Sequence, residues 1–304
     1  MARGRIGLAL GAGVARGWAH IGVLRALTRV GIVPDIVAGT SIGAVAGGCY
    51  VAGKLDELEA FARSLTRRRV FGFLDFNLTG SGLISGDRLN EVMANHLGPL
   101  QVEKLEQRFV AVAAEIGTGH EIWLSRGNLA DVVRASYALP GIFRPVKLDG
   151  RWLFDGAVVN PIPVSVCRAL GATVVIAVNL QQDTFGRGAV LTEGRLAEHA
   201  MAETEPPPQE GPRAGALQLL HRQFFGQGSD APGISTVMME AFNITQDRIA
   251  RSRLAGDPPD FVISPRLAGY SLFDFHRANE LIAQGEAAAT RALEEIRHTV
   301  GVPV

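Results

Sequence analysis

The chain has 304 residues, 47% hydrophobic and 20% charged, enough for one large or two small domains around a well-buried core. Its 30 basic and 30 acidic residues cancel, which removes the general electrostatic reason to expect nucleic-acid binding. Its two cysteines, Cys49 and Cys167, make neither a disulfide framework nor a metal cluster and read as small buried hydrophobes of a reducing compartment.

Apolar strand-like runs alternate with helical patterns, which predicts an α/β fold with a mostly parallel sheet covered by helices. The first strand is expected at Arg5–Leu10. Its apolar stretch before Gly11 is too short for the core of a signal peptide, and no later run reaches the ~18 apolar residues of a membrane span. A cytoplasmic location is therefore expected.

Gly11-Ala12-Gly13-Val14-Ala15-Arg16-Gly17 follows and opens a helix predicted over Trp18–Val30, whose Ile21, Leu24, Leu27 and Val30 share one face. A glycine-rich strand-to-helix loop offers backbone N–H groups to an anion. That anion is either a dinucleotide pyrophosphate or the oxyanion of an acyl-transfer intermediate. The dinucleotide pattern needs glycine where Arg16 stands and an acid ending the second strand, whereas Asp35 precedes that strand. The oxyanion reading is favoured.

The second strand, Ile36–Ala38, leads into Gly39-Thr40-Ser41-Ile42-Gly43 and a helix over Ile42–Ala52. Strand, tight turn and helix with serine at the apex would expose its hydroxyl above the sheet. Gly39 and Gly43 leave room for the turn and the neighbouring strand. Parallel neighbouring strands bring both loops to one sheet edge, so the Gly13 N–H would face a carbonyl attacked by Ser41.

A helix over Leu55–Leu65 comes next, then Arg67-Arg68-Arg69-Val70-Phe71-Gly72-Phe73-Leu74-Asp75-Phe76. Two readings of this stretch stand. One is a lip at a lipid interface, arginines near phosphates and aromatics among acyl chains. The other is a cation-rich helix C-terminus followed by a buried loop.

Helices are further predicted over Asp87–Leu97, Leu129–Tyr137, Pro163–Leu170, Ile234–Leu254 and Phe275–Thr299. Strands are predicted over Phe109–Ile116, Glu121–Ser125, Thr173–Asn179 and Phe261–Ser264. Residues 181–233 contain the proline-rich Glu203–Pro212, lack sustained periodicity and are expected to form a mobile excursion. Within them Leu217, Leu220 and Phe224 share a helical face, read as a short helix docking on the core or touching lipid.

A serine nucleophile needs a base. The histidines, His20, His96, His120, His199, His221, His276 and His298, carry no motif. The acidic candidate is Asp155 in Phe154-Asp155-Gly156-Ala157, a tight turn whose small neighbours let another group approach the carboxylate.

Gly11–Gly17, Gly39–Gly43 and Asp155-Gly156-Ala157, in that order, resemble the three motifs of patatin-like phospholipases. The intervening text is similar as well: Ala19–Leu24, Pro34–Gly39, Ala135-Ser136-Tyr137-Ala138-Leu139-Pro140-Gly141-Ile142-Phe143 and Asn160-Pro161-Ile162-Pro163-Val164. The similarity covers about residues 4–180, resumes near Phe273–Phe275 through Gly285–Ala287, and points to the bacterial branch related to neuropathy target esterase.

The resemblance implies one patatin-like domain over residues 1–304, a three-layer α/β/α fold with a mostly parallel sheet, interrupted by the 181–233 excursion. It implies a Ser–Asp dyad, Ser41 as nucleophile and Asp155 as proton acceptor, without metal or cofactor. Backbone N–H groups of Gly11, Ala12, Gly13 and Val14 would form the oxyanion hole, supported by Arg16, Gly17, Gly39, Gly43, Gly156 and Ala157. Ala12 and Ala157 stand where the family pattern has glycine.

The implied substrate is a phospholipid or lysophospholipid, with peripheral membrane contact and a homo-oligomer compatible with it. A Ser-His-Asp α/β-hydrolase using His276 or His298 and a catalytically weak lipid-binding regulator are the alternatives. The first normally places more strands before its nucleophile. The dyad makes a physical demand, because a carboxylate with pKa near ~4 is a poor base toward serine at neutral pH. Burial is expected to raise Asp155, and the helix N-terminus after Ser41 to stabilise the alkoxide.

Overall fold

The computed structural model describes residues 4–73, 87–183 and 234–301. Eight strands form one sheet: β1 (Ile6–Leu10), β2 (Ile36–Thr40), β3 (Arg108–Glu115), β4 (Glu121–Leu124), β5 (Val146–Leu148), β6 (Arg151–Asp155), β7 (Val174–Val178) and β8 (Phe261–Ile263). Their hydrogen-bonded order is β5-β6-β3-β2-β1-β7-β8, with β4 also on β3. Strands β3, β2, β1, β7 and β8 are parallel, β4 and β6 run antiparallel to β3, and β5 runs antiparallel to β6.

The described helices are α1 (Ala19–Arg29), α2 (Ile42–Val51), α3 (Leu55–Ser64), α4 (Arg67–Phe73), α5 (Asp87–Leu97), α6 (Leu129–Tyr137), α7 (Val164–Ala169), α8 (Ile234–Gly256) and α9 (Ala278–Val300). Side chains along the parallel strands alternate between two cores. Leu8, Leu10, Val37, Phe109, Ala111, Ile176 and Val178 pack in one cluster with α1, α2, α6 and α9. Ala9, Ile36, Ala38, Val110, Val112, Val175 and Ala177 pack in the other with α7 and Ala250 of α8. A pleated strand sends successive side chains to opposite faces, so a sheet covered on both sides needs the unbroken apolar runs seen here. The result is a three-layer α/β/α fold with a mostly parallel centre.

The register on β3 creates the site. Residues Arg108–Val112 pair with β2, and Ala113–Glu115 pair with β6. β4 pairs with Ala111–Ala114 and so occupies the opposite edge. β2 and β6 therefore share one edge of β3, end to end. Thr40 lies opposite Val112 and Asp155 opposite Ala113, so the C-terminal ends of β2 and β6 abut.

The β5–β6 hairpin and α4 were not anticipated, since three-residue strands and a two-turn helix carry too little periodicity to read. The helix expected over Phe275–Thr299 opens as a 3-10 turn, Phe275–Arg277, before α9. The three arginines open a helix of their own beyond α3. Arg67, Arg68 and Arg69 form the first turn of α4 and are exposed. Arg69 nevertheless reaches back to the C-terminus of α3, its Nη1 donating to the carbonyl of Ser64, the last residue of that helix, at 3.2 Å.

By internal contacts the chain divides into two compact units, Met1–Phe185 with Gln246–Val304, and Gly186–Thr245. Most of the proposed excursion, including Leu217, Leu220, Phe224, His199 and His221, lies outside the described residues. Residues 74–86 do as well. Among the described residues no helix is long and apolar enough to cross a membrane.

Candidate active site

Ser41 sits between β2 and α2 with φ 57° and ψ −125°, a left-handed conformation that costs a non-glycine residue roughly 1–3 kcal/mol. A serine at a helix N-cap normally turns its hydroxyl onto the first helical N–H groups. This backbone geometry prevents it, and no side-chain cap forms. The hydroxyl instead donates to Asp155 Oδ2 at 2.6 Å. Close packing holds the bend, because a Cβ on Gly43 would lie 2.1 Å from the Leu10 carbonyl oxygen and one on Gly39 2.5 Å from that of Gly43.

Ser136 on α6 completes the support. Its Oγ accepts the Ser41 N–H at 3.0 Å and donates to Val112 O at 2.6 Å, the β3 residue opposite Thr40. Thr40 Oγ1 donates to Asn160 O at 2.8 Å. No role for Ser136 is expected from its local pattern. It falls within Ala135–Phe143, and its contact with Ser41 is 95 residues away in the chain.

Asp155 ends β6 and is only 1% exposed. Its Oδ1 accepts the Ala157 N–H at 2.9 Å, while its own N–H donates to Ala138 O at 2.9 Å. Burial raises its pKa to about 7, against the lowering effects of the Ser41 and Ala157 hydrogen bonds. Gly156 lies against β3, where a Cβ would come 2.3 Å from Val112 O. The carboxyl group thus has one oxygen fixed by the backbone and the other on Ser41.

The Gly11 loop borders the same sheet edge. The Gly11 N–H donates to Val178 O at 3.2 Å and that of Ala12 to Pro161 O at 2.9 Å. Among the described residues the N–H groups of Gly13 and Val14 have no hydrogen-bond partner, and Val14 is held at φ 52°. Of the four expected donors, these two are therefore the ones available to a ligand. Arg16 turns away, its Nε and Nη2 donating to Tyr270 O at 3.0 and 2.9 Å. Gly17 packs on Ile42, 2.1 Å from the position of its missing Cβ. Asp35 exchanges hydrogen bonds with Ile6 at the opposite end of β1, away from this loop.

Among the described residues no histidine hydrogen-bonds Ser41. His20 Nε2 donates to Gly11 O at 2.7 Å, and burial lowers its pKa to about 4, so it is neutral and braces the glycine loop. His276 accepts from Arg67 Nε at 3.3 Å, and His298 lies on α9. No group of three or more His, Cys, Asp or Glu side chains that could hold a metal occurs among the described residues.

Ser41 opens onto an apolar cavity of about 180 Å³. Ile42, Val45 and Cys49, three and four residues apart, line it along one face of α2. Leu58 and Phe61 of α3, Met93 and Leu97 of α5, and Phe143 close the other sides. Lys54, Glu57 and His96 form its polar rim, the first two paired at 2.8 Å. An alkyl chain laid along α2 from Ser41 meets almost only apolar atoms. Burial pushes the Cys49 thiol up to about 12, which leaves it a poor nucleophile beside Ser41.

The sequence profile of the patatin-like phospholipases matches residues 8–168, the span that holds Ser41 and Asp155. An uncharacterised NTE family protein of Mycobacterium bovis is 34% identical over 330 residues, covering 95% of this chain and 91% of its own. Lysophospholipase nte1 of Emericella nidulans is 33% identical over 306 residues, 98% of this chain but 19% of that protein. VipD from Legionella pneumophila is a similar solved structure with a TM-score of 0.47 at 12% identity, over 96% of this chain and 67% of its own.

Proposed function

The chain belongs to the patatin-like phospholipase family, on the side related to neuropathy target esterase, and we propose that it cleaves acyl esters of phospholipids or lysophospholipids through a Ser41–Asp155 dyad. The observation that carries this reading is the buried 2.6 Å hydrogen bond from Ser41 Oγ to Asp155 Oδ2 at the mouth of an apolar cavity.

Ser41 Oγ attacks the ester carbonyl while Asp155 Oδ2 takes the hydroxyl proton. The carbonyl oxygen becomes an oxyanion and accepts hydrogen bonds from the Gly13 and Val14 N–H groups. The α2 N-terminus adds a favourable field at the same place. When the tetrahedral adduct collapses, the C–O bond to the alcohol breaks, and protonated Asp155 returns its proton to the departing oxygen. Ser41 is left acylated, its chain in the cavity. Water then attacks the acyl carbon, Asp155 accepts its proton, and collapse releases the fatty acid and regenerates the Ser41 hydroxyl.

A base works best when its pKa lies near the working pH. A carboxyl group held near 7 meets that condition, and an exposed aspartate would not. A fluorophosphonate probe together with a lysophospholipid assay tests the proposal. Wild-type protein should label and hydrolyse, and Ser41→Ala should do neither. Hydrolysis that persists in Ser41→Ala would refute it.

A further inference from the structure

A second cavity, of about 350 Å³, adjoins the first and is lined by polar as well as apolar residues. Tyr137 and Phe143 line both, their rings edge to face with centroids 5.6 Å apart. Three consecutive residues connect it to the reactive pair. Ser136 holds the Ser41 N–H, Tyr137 separates the cavities, and Ala138, which accepts the Asp155 N–H, lines the second. A volume of this size lies within the ~300–1,000 Å³ of small-molecule sites.

The charged residues described along it are all cationic, Arg134, Arg144 and Lys147, and no described aspartate or glutamate lines it. Among the described residues neither Arg144 nor Lys147 has an acidic partner, and Lys147 Nζ stands 5.6 Å over the ring of Trp152, itself 51% exposed. Arg134 pairs with Asp131 at 3.3 Å, yet its Nε is buried and has no hydrogen-bond partner. A buried N–H left in that state is destabilising until an acceptor arrives. Asn90 also lines the cavity. Its Oδ1 accepts the Tyr137 hydroxyl at 2.9 Å, which leaves its amide hydrogens as donors. The polar wall therefore offers positive charge and N–H groups and asks for an anion.

We propose that this cationic cavity binds the phosphate of a glycerophosphate headgroup while the acyl chain occupies the apolar cavity, and that it selects headgroups of net negative charge. The proposal rests on the acyl-hydrolase reading of Ser41. The two cavities divide an amphiphile at its ester, chain on one side and phosphate on the other. Phosphate suits a site built from guanidinium and ammonium donors. A choline ammonium would add a fourth cation to the group and lose the advantage that a phosphoglycerol or phosphomonoester keeps.

The test has two arms. The first measures kcat/KM for lysophosphatidylglycerol relative to monoacylglycerol of the same chain, in wild type and in Arg144→Glu, Lys147→Glu and Arg144→Lys. The ratio should fall by about tenfold or more in each charge reversal, the equivalent of ~1.4 kcal/mol, and be largely kept in Arg144→Lys. An unchanged ratio in the reversals overturns the proposal. The second arm needs no turnover. In Ser41→Ala, sn-glycerol 3-phosphate should quench Trp152 fluorescence and bind more tightly than inorganic phosphate, and Arg144→Glu should abolish both effects. Equal binding of inorganic phosphate would make this a free-phosphate site and overturn the headgroup assignment. If wild type hydrolyses neither ester, the acyl-hydrolase reading fails, and the second arm still decides the cavity.

Discussion

Thr40 and Asp155 face adjacent residues of one strand, Val112 and Ala113 of β3, so two strands of opposite direction end against each other. Ser41 follows Thr40, and its hydroxyl crosses that junction to the Asp155 carboxyl group at 2.6 Å. Two residues 114 positions apart in the chain are thus set by backbone pairing, before any side chain is placed.

That arrangement predicts a pH profile. Asp155 must be ionised to take the Ser41 proton, and burial holds its pKa at about 7. The kcat/KM for an uncharged ester such as p-nitrophenyl butyrate should rise with pH, with a midpoint near that value, and level off above it. Full activity at pH 5 would contradict the assignment.

Burial of Asp155 also predicts a trade between stability and activity. Folded, it keeps its proton up to about pH 7; unfolded, it loses it near ~4. Between those limits the unfolded chain binds fewer protons, so this group's contribution falls as pH rises, by at most about 4 kcal/mol. His20 acts the other way. It stays neutral in the fold down to about pH 4 and titrates near ~6.5 when unfolded, so its contribution rises with pH over that window. Asp155→Asn should melt several degrees above wild type at pH 7.5, and the gap should close toward pH 4. Thermal scans at three pH values check this; an Asp155→Asn variant less stable than wild type at pH 7.5 would argue against it.

Ser136 is predicted to be a positioning residue. Ser136→Ala would orphan the buried Ser41 N–H and remove the bond to Val112 O, at a stability cost of about 1–3 kcal/mol. A nucleophile released by a fraction of an ångström loses rate more than affinity. The expected outcome in steady-state kinetics is a kcat lowered by about tenfold to a hundredfold with KM little changed. An unaltered kcat would remove Ser136 from the account.

Cavity length predicts chain selectivity. Cys49 lies on the α2 face that lines the apolar cavity, two turns beyond Ile42. Cys49→Phe should shorten the space available to an acyl chain. In a series of p-nitrophenyl esters, the ratio of kcat/KM for dodecanoate over butyrate should fall, since each buried methylene is worth about 0.8 kcal/mol. A ratio equal to wild type would place the chain elsewhere.

Much of the centre was legible in the sequence for one reason: β1, β2, β3 and β7 are buried on both faces, so their apolar runs are unbroken. Ser41 and Asp155 announced themselves through small neighbours that steric contact requires, as the 2.1 Å approach at Gly43 shows. What could not be read depends on distant partners. The Gly11 and Ala12 N–H groups are occupied by Val178 and Pro161, which leaves Gly13 and Val14 as available donors, and no local pattern encodes that pairing. The β5–β6 hairpin is too short to show periodicity, although it carries Asp155, Lys147 and Trp152.

The most direct measurement is turnover of a lysophospholipid by Asp155→Asn, compared with wild type at pH 8. Asparagine preserves the size of the carboxyl group and cannot accept the Ser41 proton, so kcat should fall by about 10²–10⁴-fold while the protein stays folded. Near-normal turnover would contradict the Ser41–Asp155 dyad.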